Sequence, residues 1–224
     1  MPMHIEFLIE DASGKKMLDL LLPKIFDTDT DVTWTVHPYK GIGKIPQKVT
    51  GAVNPKVICR RALLDNLPRL LSGYGYAWNA ARMQNQCAVV VVCDLDDRNR
   101  EEFTGELNSL LAKCREKPET CFCLAIEEGE AWLLGDIPAV KAAYPKCKAA
   151  VLSEYRQDSI CGTWEKLADA VYPGGSAALS QQGYQAVGAE KCRWAEKITP
   201  HLDVLKNVSP SFQQFRQVVA ELAQ

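Results

Sequence analysis

The sequence predicts an α/β fold: a mostly parallel sheet flanked by helices, with a C-terminal helical extension. Three observations carry this. Strand-like and helix-like segments alternate through residues 1–145 in a βαβαβα order, which specifies parallel strands joined by right-handed crossovers. The run 87–93 (CAVVVVC) is apolar without interruption, as a strand covered on both faces must be. From 146 to 224 no strand pattern recurs, and that stretch reads as helices docked on the sheet domain.

Taken in order, residues 4–9 (HIEFLI) read as the first strand, and Ser13-Gly14-Lys15 opens a helix whose Met17, Leu20, Leu21 and Ile25 recur at helical spacing. Residues 31–39 (DVTWTVHPY) alternate and are β-rich, and the Gly41-Ile42-Gly43-Lys44 loop follows. A helix is expected over 57–71, with Leu63, Leu64, Leu67, Leu70 and Leu71 on its buried stripe, dissolving at Ser72-Gly73-Tyr74-Gly75. After the central strand come a helix over 100–115, a buried strand over 120–126 (TCFCLAI) and a helix over 127–134 that stops at Gly135-Asp136. Residues 164–171, 184–198, 201–206 and 211–222 look helical, separated by Pro173-Gly174-Gly175, Pro200 and Pro210.

A chain of 224 residues with 47% hydrophobic content can build a real core. Its nine cysteines lack zinc-type C-x-x-C pairs, and Cys87, Cys93, Cys121 and Cys123 lie within apolar runs, so they read as reduced core residues. No basic start with an apolar core and cleavage site opens the chain, and no apolar run approaches the roughly 20 residues of a membrane span, so a cytoplasmic location is expected. The net charge of −2 argues against a protein coated for nonspecific nucleic-acid binding. Locally, however, Lys40, Lys44, Lys48, Lys56, Arg60 and Arg61 follow one another with no acid between them, as either a solvated face or a phosphate-facing surface.

The chemistry concentrates in acids at strand ends. Glu10 and Asp11 follow the first strand, Asp94, Asp96 and Asp97 the central one, and Glu127, Glu128 and Glu130 the last. Parallel strands bring these ends together, and ligands bind there in open α/β sheets. In an extended segment, residues two apart share a side at about 6.6 Å, so Asp94 and Asp96 would direct two carboxylates into one crevice. Such crowding suits a hard cation, Mg2+ or Mn2+, and the absence of a histidine cluster argues against zinc. Asp97 either joins the ligands or caps the next helix, and Glu128 or Glu130 would complete the shell or serve as general base. The five tryptophans are too dispersed for a base-stacking platform and read as core or interface anchors. His4, His37 and His201 are isolated.

A glutamate ending the first strand and an Asp-x-Asp after a valine-rich central strand resemble the TOPRIM domain of topoisomerases, primases and OLD-type nucleases. The string AIEEGEAWLLGD, residues 125–136, resembles the E-x-E-A-W-x-x-x-D signature of the bacterial TOPRIM-like family named domain of unknown function 4276. Phe7-Leu8-Ile9-Glu10 is similar to its opening strand, Gly43-Lys44 to its glycine-lysine loop, Leu67-Pro68-Arg69-Leu70-Leu71 to its second helix, and Ser209-Pro210-Ser211-Phe212 with Phe215 to its last helix. The resemblance implies a TOPRIM-like, Rossmann-like fold and a metal site built from Glu10, Asp94, Asp96 and Glu128 or Glu130, with Lys44 and Lys191 beside it. The turn Glu10-Asp11-Ala12-Ser13-Gly14-Lys15 lacks the Glu-Gly pair of many TOPRIM proteins, which leaves the role of Asp11 open.

The expected function is a metal-dependent nuclease acting on DNA or RNA. Relatives imply phage defence beside an ATPase partner, and a homodimer is a further expectation. Lys44 would stabilise developing charge and the basic segment would hold flanking phosphates. The alternative is a non-catalytic adaptor whose acids serve as caps or a structural cation site. A phosphotransferase with Asp94 as nucleophile fits less well, because Arg98 stands where that motif carries threonine or valine and the motif lies mid-chain.

Overall fold

The computed structural model describes residues 2–26, 31–46, 62–158 and 162–223. Four strands, β1 (Met3–Ile9), β2 (Val32–Pro38), β3 (Cys87–Asp94) and β4 (Glu119–Ala125), form one sheet in the order β2-β1-β3-β4, every neighbouring pair parallel. β3 is buried along its whole length up to Asp94, as its unbroken apolar composition requires. β4 is an edge strand whose first half is only partly covered, so the fully buried strand expected over 120–126 is buried chiefly at its carboxyl end.

Helices flank both faces. α2 (Leu63–Ala81) and α3 (Arg100–Ala112) bury Leu63, Leu64, Leu67, Leu107 and Leu110 against Leu8, Val89 and Val91. The other face carries α1 (Ala12–Ile25) and the later helices: α4 (Glu130–Leu134), α5 (Ile137–Ala143), α6 (Ala149–Ser153), α7 (Thr163–Val171), α8 (Gly175–Ser180), α9 (Tyr184–Ile198) and α10 (Pro210–Leu222). α9 packs along α1 and α10 against β4, so residues on both sides of position 145 share one core. No helix among the described residues is long and apolar enough to cross a membrane.

Aromatic packing locks the last helix in place. Trp132 of α4 stacks on Phe215 with centroids 4.8 Å apart and meets Phe212 edge-on at 5.7 Å, while Phe215 also approaches Phe7 of β1 at 6.3 Å. The Trp132 indole N–H donates to Ser211 Oγ at 3.1 Å, which satisfies its buried polar atom. Ser209 caps α10 by accepting from the Phe212 amide at 3.3 Å, with Pro210 preset for the first turn. Gly135 is required by close approach: a Cβ there would lie 2.0 Å from Asn207 Oδ1, whose amide group donates to the Trp132 carbonyl at 2.7 Å.

Several expected boundaries move. α2 does not dissolve at Gly73 but runs on to Ala81, because Gly75 lets the helix pass against the Glu116 carbonyl, 2.3 Å from where a Cβ would sit. The part of that helix expected over 57–61 lies outside the described residues, as do Lys48, Lys56, Arg60 and Arg61. The helix expected over 127–134 begins only at Glu130, after a turn in which Glu127 adopts a φ of 66°. No helix forms over 201–206; one 3-10 turn, Thr199–His201, precedes further turns, and Lys24 donates to the carbonyls of Thr199, Pro200 and Leu202 instead.

Candidate functional site

The direction of chain travel across the sheet reverses between β1 and β3. α1 leaves β1 over one face toward β2, whereas α2 and α3 lie over the other. The helices after β1 and β3 therefore diverge, opening a crevice at the carboxyl ends of the two central strands. Glu10 follows β1 and Asp94 ends β3, so register alone delivers both carboxylates to that crevice. They are linked directly, since the Asp94 amide donates to Glu10 Oε2 at 3.3 Å.

Two later elements close the crevice. α4 starts at Glu130, which is only 4% exposed, and α9 supplies Lys191. The Lys191 ammonium lies 3.0 Å from Glu130 Oε2 and 3.1 Å from Glu128 Oε1. Glu10, Asp94, Glu130 and Lys191, with Met17, Val92 and Trp132, line a cavity of about 20 Å3, room for one water-sized body. Glu130 Oε2 is close enough to the ammonium for attraction but accepts no aligned hydrogen bond.

The electrostatics are those of carboxyl groups that cannot all ionise. Burial lifts Glu10 to about 7, reinforced by Asp96 and Asp11 and opposed by the Asp94 amide and Lys191. Burial likewise lifts Glu130 to about 7 against the pull of Lys191, and Asp94 is driven well above the usual carboxylate range by burial and then by Glu10. Burial alone would discharge Lys191, but Glu130, Glu128 and Asp94 more than reverse this and hold it protonated. One cation thus faces several carboxylates in a poorly solvated pocket, an arrangement typical of functional sites rather than of stable cores.

The remaining expected residues lie elsewhere. The extended geometry invoked for Asp94 and Asp96 ends with β3: Asp96 has a φ of 51°, its amide donates to the Glu127 carbonyl at 2.9 Å, and its carboxylate pairs with Arg98 at 3.2 Å. Asp96 and Asp97 line a separate, shallower opening with Glu127, Glu128, Trp164 and Glu165. The helix after Asp97 is capped by Asn99, which accepts from the Glu102 amide at 3.0 Å. Asp11, by contrast, lines the cavity beside Glu10, but its carboxylate caps α1, accepting from Gly14 N at 2.8 Å and Ser13 Oγ at 2.7 Å. Glu128 stands between the two openings: Oε1 meets Lys191, while Oε2 accepts from Thr163 Oγ1 and the Trp164 amide at the start of α7. Lys40 and Lys44 are exposed on the loop after β2 and do not line the cavity, although that loop's Gly41 amide donates to the Glu10 carbonyl.

Residue-by-residue reading missed Thr163, Trp164 and Glu165, which meet the strand-end acids only through tertiary contact. Lys191 was reachable through family resemblance alone, since nothing in its local sequence marks it off from other helix lysines.

The cavity's donors fit a hard divalent cation in kind. Glu10, Asp94 and Glu130 offer only carboxylate oxygens, and the buried Oε2 of Glu130 has only the ion pair with Lys191. Their placement is not that of a closed shell: among the described residues no three His, Cys, Asp or Glu side chains are already grouped to hold a metal ion. Lys191 stands among these carboxylates instead, paired with Glu130 and Glu128.

No curated protein and no solved structure matches the chain. A family match extends over residues 9–220, from the end of β1 into α10, and so takes in every residue that lines the cavity. The chain belongs to the family described as Domain of unknown function (DUF4276).

Proposed function

We propose that the chain is a Mg2+- or Mn2+-dependent phosphodiesterase that cleaves nucleic acid, with a TOPRIM-like arrangement of its strand-end acids. The observation that carries this reading is the meeting of Glu10, Asp94 and buried Glu130 around one small cavity where the sheet's connectivity reverses. These three residues would hold the ion, and Glu128 flanks them through Lys191. When bound, such an ion supplies charge neutralisation at a scissile phosphate and a more acidic water.

The chain's own groups perform the rest. The Asp94 amide fixes one oxygen of Glu10, leaving the other to face the cavity's contents. Without the ion, burial holds Glu10 at about 7 and favours its protonated form, so binding of the ion would displace that proton. Trp132, Met17 and Val92 form an apolar floor that excludes water and strengthens every charge interaction above it. Lys40 and Lys44, exposed on the loop that hydrogen-bonds to the Glu10 backbone, would meet flanking phosphates, giving binding that weakens with salt.

The test is cleavage of DNA and RNA substrates with Mn2+, Mg2+ or chelator by the parent, Asp94→Asn and Asp96→Asn. The proposal expects metal-dependent cleavage that Asp94→Asn abolishes and Asp96→Asn retains. Equal cleavage by the parent and Asp94→Asn would remove it.

A further inference from the structure

The contacts of Lys191 assign it a role beyond charge balance. We propose that the Lys191 ammonium is a tethered counter-ion that holds the cavity in place of the metal and must leave Glu130 when a divalent ion is taken up. The inference rests on the metal-site reading above and concerns how that site is regulated.

Three observations carry it. First, position: Lys191 Nζ sits 3.0 Å from Glu130 Oε2 and 3.1 Å from Glu128 Oε1, with its side chain only 14% exposed, so it is already inside the carboxylate cluster. Second, incomplete commitment: the ammonium meets buried Glu130 Oε2 across 3.0 Å as an ion pair whose geometry falls short of an aligned hydrogen bond. Third, space: the cavity left beside Lys191 measures about 20 Å3, room for one water-sized body, so an ion entering it would lie against the same Glu130 oxygen as the ammonium. An ammonium and a divalent ion sharing one carboxylate in a poorly solvated pocket repel strongly, so occupancy by one disfavours the other. Glu128 provides the place of retreat, because its Oε1 can keep the ammonium while its Oε2 stays fixed by Thr163 and Trp164. Loading thus becomes an exchange of cations on Glu130, with Lys191 setting the metal concentration at which it happens.

Calorimetric titration of Mn2+ into the parent and into Lys191→Met, which keeps the apolar stem, gives the first readout. The variant is expected to bind Mn2+ at least about tenfold more tightly. The second readout uses the parent protein alone: amine-selective labelling followed by peptide mass spectrometry, with and without saturating Mn2+. Labelling of Lys191 is expected to rise several-fold on saturation, while that of the surface residue Lys15 stays constant. If the parent binds Mn2+ and Lys191→Met binds equally or more weakly, the exchange is overturned and the metal site stands. If Lys191 labelling does not change while calorimetry shows saturation, the exchange is likewise overturned, whether or not the variant folds. If neither protein binds Mn2+, the metal-site reading fails and the exchange with it.

Discussion

Replacing Glu130 by glutamine is expected to stabilise the metal-free protein at alkaline pH. Glu130 is 4% exposed and burial raises its carboxyl from 4.5 to about 7 even with Lys191 beside it. Below pH 4.5 the group is protonated whether the chain is folded or not. Between 4.5 and 7 the unfolded chain ionises while the folded one keeps the proton, so the folded state binds more protons and stability falls as pH rises. Above 7 the loss is complete, at about 1.4 kcal/mol for each pH unit of that window or about 3.5 kcal/mol in all. Glutamine mimics the protonated form and escapes the loss, but gives up part of the attraction to Lys191, which leaves a net gain of about 1–3 kcal/mol at pH 8. Urea unfolding in chelator at pH 8 and pH 5 measures it: Glu130→Gln should exceed the parent at pH 8 and approach it at pH 5. With saturating Mn2+ the order should invert, because only the parent keeps all three carboxylates. A Glu130→Gln protein less stable than the parent at pH 8 in chelator would mean that the pair with Lys191 is a structural bond, and the reasoning would fail.

Three further outcomes follow from the same contacts. Gly135→Ala forces a methyl onto Asn207 Oδ1 and disturbs the hydrogen bond to the Trp132 carbonyl, so a loss of about 2–4 kcal/mol in denaturant unfolding is expected from overpacking plus lost hydrogen bonding. Lys24→Met removes three hydrogen bonds to the carbonyls beyond α9 and should lower stability by about 1–2 kcal/mol, with little change in Mn2+ affinity. Asp94→Asn should weaken Mn2+ binding by more than about 100-fold in calorimetry, whereas Asp96→Asn, outside the cavity, should change it by less than about threefold.

Much of the sheet was legible because its strands differ so plainly in composition: a valine run with no polar break can only sit between two covered faces, and β3 does. The pairing of Glu10 with Asp94 followed from strand ends in a parallel sheet. Asp96 lines the neighbouring opening rather than the cavity because a two-residue spacing implies a shared side only while the chain stays extended, and β3 stops at Asp94. The persistence of α2 through Gly73 and Gly75 was hidden for a related reason. A glycine that admits a neighbouring backbone looks, in sequence, like one that ends a helix. Lys191 is separated from Glu130 by some sixty residues, and only the packing of α9 against α1 and α4 brings its ammonium into the cavity. By contrast, the aromatic and small residues of the last helix are explained once Trp132 is seen packed against both Phe212 and Phe215.

The most direct test of the central claim is a crystal grown or soaked with Mn2+ and measured for anomalous scattering. A single strong peak within coordinating reach of the Glu10, Asp94 and Glu130 carboxylates, with the Lys191 side chain moved off Glu130, is the expected result. Peaks confined to the opening lined by Asp96, Asp97 and Glu165, with Lys191 still bonded to Glu130, would contradict it.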